Sequence, residues 1–352
     1  MLISEHSTAA LQEALASGQK DIYCQGLFLS ARWFVLSAAR GAGISLAVLP
    51  DKESAEYCAA DLYNLTEGDK VFYLPDSGKN AVRSNYKSSL GVQRTSAIGK
   101  IRSCEPGTVI VSYPEALEER LPSSSDALSP LLSLKAGDEI SHDEISSILS
   151  EAGFENVDFV SEPGQYTLRG GVVDIFSYSF NYPFRLSLFG NEIEKIYTFD
   201  TNTQLSKESV DKVDIYGDMA SDSDTEGLFI SDILPEDCIV WLDSSDSYRE
   251  REFFSRLSPF RKVYLETPLS AVKASPIRFD ISPQPAFNKN FDLLIQDIKN
   301  RLEKGYKVYI YGEKRSQLER LRSIIRAEEG TVPEMVEGKN LHNIFNLEAI
   351  MK

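Results

Sequence analysis

Four positions near the N-terminus fall where a phosphate loop would need its chemistry. The apolar run Asp21–Cys24 reads as a strand, and a nucleotide-binding α/β domain places its glycine-rich loop directly after its first strand. The frame G-x-x-x-x-G-K-[ST] therefore lies on Gly26 to Trp33, and only Gly26 keeps its part. Ala31 stands at the second glycine, Arg32 at the lysine and Trp33 at the hydroxyl residue. Ala31 adds a Cβ where backbone must approach phosphate, Arg32 offers a planar fork instead of a compact ammonium, and an indole cannot ligate magnesium. ATP chemistry is not expected at this loop, which reads instead as a helix N-terminus packed by Trp33 and Phe34.

Other stretches fail similar tests. Val172-Val173-Asp174 has the apolar run and the Asp of a magnesium-binding strand, but no second acid follows. In Asp138-Glu139-Ile140-Ser141-His142 the His is one position too late for a helicase box, and no apolar strand precedes it. Cys24, Cys58, Cys104 and Cys238 have no CxxC spacing, and His6, His142 and His342 lie far apart, so neither a zinc knuckle nor a disulfide framework is legible. The thiols read as structural or incidental. No nucleophile, acid–base pair or metal cluster emerges, so no catalytic residue and no cofactor is expected in this chain.

The elements that position these residues follow from periodicity. Short continuous apolar runs at Asp21–Cys24, Ile44–Leu49, Val71–Leu74 and Val109–Val111 alternate with helix-like stretches, the pattern of a parallel sheet covered on both faces. Asp51 is an N-cap for a helix to about Leu65, and Ser84 opens another to about Arg102. Ser and Pro cluster in Leu121–Pro130, a boundary loop. Beyond it, Ser141 and Glu144 form a capping box, Ile145, Ile148, Leu149 and Ala152 an apolar helix face, and Gly153 a stop. Extended segments Tyr166–Phe176, Phe184–Phe189 and Ile193–Phe199 follow, so this region reads as one helix on an antiparallel sheet. From about Asp211 the α/β pattern returns, with strands Ile239–Leu242, Val263–Leu265 and Val308–Tyr311 and helices at about Asn290–Glu303 and Lys314–Glu328. The expected organisation is an α/β domain in two parts, residues 1–122 and 211–352, with an α+β domain inserted at 123–210. The first and last thirds are either two halves of one sheet or two small sheets.

The 352 residues carry 37 Lys plus Arg against 53 Asp plus Glu, a formal charge of −16. That charge repels phosphate at long range, so unaided binding to duplex DNA or an anionic membrane is disfavoured, and a protein partner is the better expectation. The start MLISEHSTAAL has neither a basic nor an apolar leader region, and no run approaches the roughly 20 apolar residues of a membrane span. A cytoplasmic location is expected.

Several motifs together resemble a known family. GFENVD (153–158), GQYTLRG (164–170), VVDIF (172–176), FRLSLF (184–189) and EIEKI (192–196) before Phe199-Asp200 are similar to the second domain of UvrB. They are more similar still to the corresponding module of the bacterial transcription-repair coupling factors (Mfd). The flanks agree: LPD (49–51), YLPD (73–76), Arg94-Thr95, GTVIVSYPEAL (107–117) and PAFN (285–288). The resemblance implies a degenerate P-loop NTPase-like sheet, like UvrB domain 1 but without ATP binding, carrying an inserted domain that recruits UvrA. Family members also hold an RNA-polymerase-interacting domain and an ATP- and magnesium-dependent DNA translocase. Neither is recognisable here, so the chain is expected to be an N-terminal portion, with polymerase, DNA, ATP and Mg partners of the absent domains only.

Strand parity singles out one face. Along Phe184–Phe189, Phe184, Leu186 and Leu188 point one way and Arg185, Ser187 and Phe189 the other. An aromatic beside an arginine on a polar face has the composition of an interface anchor. The resemblance carries Arg169, Arg185 and Phe189 onto positions of UvrA contact. The alternative is that Arg185 pairs with a local acid such as Glu192 or Glu194 while Phe189 covers a sheet edge. Two other readings of the whole chain stay open: a UvrB-like ATP-dependent DNA-processing enzyme with an atypical nucleotide site, and a face masked by later domains of the same polypeptide.

Overall fold

A computed structural model describes residues 5–41, 43–66, 68, 70–77, 84–121, 129–219, 227–266, 268, 271, 275–283, 287, 290–306, 308–312, 314–329, 333–337 and 345–347. The chain divides into two compact units, residues 1–71 with 237–352 and residues 72–236.

The first unit begins with α1 (Glu5–Ala16), β1 (Asp21–Gln25), α2 (Ala31–Ala39), β2 (Ser45–Val48) and α3 (Lys52–Leu65). All four residues of β2 are buried, as a strand covered on both faces requires. Asp51 starts α3: its carboxylate accepts from the Ser54 N–H at 2.8 Å, satisfying one of the orphan donors of a helix N-terminus.

The second unit follows β3 (Val71–Tyr73), which spans the boundary, with α4 (Ser84–Ser103), β4 (Val109–Ser112) and α5 (Pro114–Glu118). Arg94 on α4 is 1% exposed. It donates from Nη1 to the carbonyls of Pro75 (2.7 Å) and Ala116 (3.3 Å), tying the helix to the ends of its neighbours. Next come β5 (Leu132–Lys135), α6 (His142–Glu151), β6 (Glu155–Asn156), β7 (Gln165–Arg169), β8 (Val172–Ile175), β9 (Phe184–Phe189), β10 (Glu192–Phe199), β11 (Ser206–Val210), β12 (Lys212–Ile215) and α7 (Ile230–Ile233). Six of these strands form one sheet in the order β11-β10-β9-β8-β7-β6. Its pairings are antiparallel except β6 with β7. Ser141 caps α6 by accepting from the Glu144 N–H, and Gly153 (φ +81°) follows the helix. Ile145 and Leu149 on α6 pack in one core with Tyr166, Val173, Ile175 and Leu186.

The chain returns to the first unit with β13 (Ile239–Leu242), α8 (Glu252–Arg256), β14 (Arg261–Tyr264), β15 (Ile277–Arg278), β16 (Ile281–Pro283), α9 (Phe291–Glu303), β17 (Tyr309–Gly312), α10 (Arg315–Glu329), β18 (Glu334–Glu337) and β19 (Phe345–Leu347). Within this unit the strand order is β15-β1-β14-β13-β2, every pairing parallel. The first and last thirds thus contribute to one sheet, and the choice left open by the sequence is settled by hydrogen bonding between β2 and β13 and between β1 and β14. β17, α10 and β18 form a parallel strand–helix–strand unit.

One expectation is corrected. The extended stretch 166–176 is not one strand: it folds back at Gly170-Gly171, so that Arg169 pairs directly with Val172. Gly170 adopts φ +55°, and a two-residue hairpin turn needs that left-handed conformation, which costs glycine nothing. The boundary loop at 121–130 and the acidic loop at 219–227 lie mostly outside the described residues.

Replacing Asp51 by Ala removes the α3 cap and is expected to lower the unfolding free energy by about 1 kcal/mol, measured as a shift in urea midpoint at unchanged slope.

Candidate functional site

The loop after β1 is folded upon itself. Gly26 has φ +83°, and a Cβ there would stand 2.1 Å from the Phe279 carbonyl oxygen. The Phe279 N–H in turn donates to the Gln25 carbonyl at 2.8 Å. Gly26 therefore admits the chain's own backbone at the place where a phosphate loop admits a nucleotide. Leu29, at φ +52°, turns the loop into α2. The first amides of that helix are taken: Ala31 N–H donates to Phe28 O (3.1 Å), Arg32 to Leu29 O (3.4 Å) and Trp33 to Ser30 O (3.0 Å). An anion site needs those donors unspent. Ala31 is fully buried and Trp33 7% exposed, so both are packing residues. Arg32 donates from Nη1 to Asp243 Oδ1 at 2.7 Å and from Nη2 to Glu266. Burial pushes the Asp243 carboxyl up to about 6, against the opposing pull of Arg32. Gly26, Ala31, Arg32 and Trp33 do not fit a nucleotide phosphate.

No group of three His, Cys, Asp or Glu side chains that could hold a metal ion exists among the described residues, and no described helix is long and apolar enough to cross a membrane. Cys24, Cys58 and Cys238 are buried and form no disulfide among the described residues. Burial raises the Cys24 and Cys238 thiols to about 12, far from the thiolate form that reactivity needs.

The six-stranded sheet offers a different arrangement. Phe184, Leu186 and Leu188 enter the core, and Arg185, Ser187 and Phe189 occupy the opposite face, as parity requires. On that outer face the register aligns Thr167, Asp174, Arg185 and Tyr197 in one row and Arg169, Val172, Ser187 and Lys195 in the next.

The first row is an internal clamp. Arg185 donates from Nε and Nη2 to the two oxygens of Asp174, at 2.7 and 2.8 Å, and from Nη1 to the Gln204 carbonyl at 2.9 Å. Its guanidinium also lies over the Phe199 ring, 4.6 Å from the centroid. The Asp174 hydrogen bond raises the guanidinium above its already high ordinary value. Asp174 is 1% exposed. Gln204 belongs to the turn 200–205, where Asp200 accepts from the Asn202 and Thr203 amides. Lys207 and those amides hold the Asp200 carboxyl down at about 2.

The second row is open. Arg169 and Phe189 each occupy the last strand position before a two-residue turn, Gly170-Gly171 and Gly190-Asn191 respectively. Both turns therefore lie at the same end of the sheet. The two residues are separated by two strand spacings, about 10 Å, and one two-residue step, about 7 Å. Phe189 is 77% exposed. Arg169 makes no hydrogen bond or ion pair among the described residues; its guanidinium lies 4.7 Å from the centroid of the Phe159 ring.

Residues 132–220 match the family model described as the UvrB interaction domain. This segment belongs to that family. The chain is also similar to proteins named transcription-repair-coupling factor. That of Bacillus subtilis is 30% identical over 165 residues, 46% of this chain and 14% of the relative. That of Escherichia coli is 26% identical over 186 residues, 51% of this chain and 15% of the relative. That of Staphylococcus aureus is 39% identical over 84 residues, 24% and 7% of the two chains. Each match thus covers at most about a seventh of the relative's length. All three sequence-derived residues, Arg169, Arg185 and Phe189, fall within the UvrB interaction domain and on one face of its sheet.

They are not equivalent there. Arg169 and Phe189 are exposed at the hairpin tips, whereas the Arg185 fork is engaged inside the domain, as the alternative reading held, but with Asp174 and not with Glu192 or Glu194. That partner was hidden because the eight residues 176–183 between β8 and β9 leave the strand register open. Phe159 was missed altogether, since a lone aromatic in a loop carries no periodic signal.

Arg185→Ala leaves a buried carboxylate without its counter-ion and is expected to destabilise the chain by about 3–5 kcal/mol in urea unfolding, against under about 0.5 kcal/mol for Phe189→Ala. Titration of the chain with Mg-ATP in a calorimeter is expected to give no saturable heat; micromolar binding would mean that the loop at Gly26 opens.

Proposed function

We propose that this chain is a non-catalytic module that recruits UvrA through its UvrB interaction domain, within a factor that couples transcription to nucleotide excision repair. The observation that carries this reading is the convergence of Arg169 and Phe189 on adjacent hairpin tips of one rigid sheet, exposed and without polar partners among the described residues. A cation and a ring offered on one face suit a protein surface that has a carboxylate and apolar ground. Arg185 contributes in a second capacity, by fixing the sheet that displays them, with its remaining N–H groups at the face.

The first unit is read as a P-loop NTPase-like scaffold whose nucleotide position has been closed by Phe279, Arg32 and Asp243. Contacts with RNA polymerase and DNA, and any ATP-driven movement, are assigned to the parts of the longer relatives that this chain does not match.

The double variant Arg169→Ala, Phe189→Ala is expected to lose UvrA capture by at least about 100-fold, as two hot-spot truncations would. Its thermal melt by circular dichroism should be unchanged, because neither side chain is buried. Capture at wild-type affinity would defeat the assignment of this face.

A further inference from the structure

The Arg169 side chain has no polar anchor among the described residues, yet it does not lie over open surface. Its guanidinium is held over the ring of Phe159, 4.7 Å from the centroid. Phe159 itself is 62% exposed, an unusual place for a phenyl ring that fills no core.

The backbone beneath that ring is fixed on both sides. The Val157 N–H donates to the Tyr166 carbonyl at 2.9 Å. Val160 is fully buried against Phe176 and Phe199, and its carbonyl accepts from Gln204 Nε2 at 3.1 Å. Beyond it, Gln165 Oε1 accepts from the amides of Ser161 and Glu162. The backbone that carries Phe159 is therefore held on both sides, and the ring lies beneath the cation beside it.

A guanidinium placed over a ring engages the π face without spending its N–H donors, which remain available to a bidentate acceptor. A long side chain otherwise loses much rotamer freedom when it is captured by a partner, and a ring beneath it removes part of that loss in advance.

We infer that Phe159 is a positioning residue for UvrA recognition: it pre-orders Arg169 so that the fork meets a carboxylate on the partner, while Phe189 meets the apolar ground beside it. This rests on the function proposed above and adds a residue to it. The partner chemistry it implies is an Asp or Glu side chain at the protein surface, not a phosphate of DNA, because the sheet carries only two basic groups in this row, Arg169 and Lys195, in a chain of net charge −16.

The test uses the whole chain and purified UvrA in a surface-binding assay. Phe159→Ala is expected to weaken binding about fivefold, the scale of one exposed cation–π contact together with one unrestrained side chain. Phe159→Trp and Phe159→Tyr should restore it, and Phe159→Leu, apolar but without a π face, should not. Since the ring acts through the cation, Phe159→Ala should add nothing further in an Arg169→Ala background. In the free chain, the Arg169 side-chain proton resonances should show the ring-current shift of the Phe159 face and lose it in Phe159→Ala.

If the wild-type chain does not bind UvrA, the proposed function falls and this inference with it. If it binds and Phe159→Ala binds equally well, or the two alanine effects add in full, only the inference falls. A resonance shift absent from the wild-type chain would overturn it as well.

Discussion

The interaction domain is organised around one enclosed charge. Asp174 is nearly inaccessible to water, and an ionised carboxylate in that position is tolerated only with its oxygens fully engaged. Arg185 meets both of them from the neighbouring strand. That requirement does more than balance charge. It favours the register in which Asp174 faces Arg185, and a slip by one residue would turn Arg185 into the core and Leu186 out to solvent. From the correct register it follows that Arg169 and Phe189 reach the same end of the sheet. Through Gln204 the same guanidinium holds the turn 200–205, which in turn anchors Val160 next to Phe159. A pair made of a buried carboxylate and a partly exposed guanidinium thus bears on the position of three exposed residues.

In the first unit the loop after β1 is filled by the chain's own packing. A glycine at φ +83° in a nucleotide-binding loop lets backbone approach phosphate; here Gly26 lets β1 accept the backbone of Phe279. The helix amides that would face an anion close on the preceding turn, and the cation that would meet a phosphate meets Asp243 and Glu266. The amides and the guanidinium at this loop thus have partners within the chain.

Display on hairpin tips has its own physical logic. Two-residue turns with glycine in the left-handed region are short and stiff, and the residue just before each turn is fixed by the last cross-strand pair. Arg169 and Phe189 therefore combine exposure with a defined backbone. Held in this way, the backbone needs little further ordering to present these side chains.

The sequence by itself determined much of the local structure. Asp51 and Ser141 announced their helices because a cap is a matter of neighbours along the chain, and the alternation in Phe184–Phe189 declared its two faces because strand parity is local too. The broken phosphate frame at Gly26 to Trp33 could be read from residue types alone. Only the tertiary structure decided which acid Arg185 meets, since Asp174 lies eleven positions away across a connection whose length leaves register undetermined. It also decided that residues 166–176 make a hairpin, that β1 and β2 share a sheet with β13 and β14, and that Phe279 fills the space beside Gly26. Phe159 belongs with these. Its contact with Arg169 joins a loop to a strand end, and such a pairing leaves no trace in the spacing of either segment, because distance through space is set by the fold as a whole.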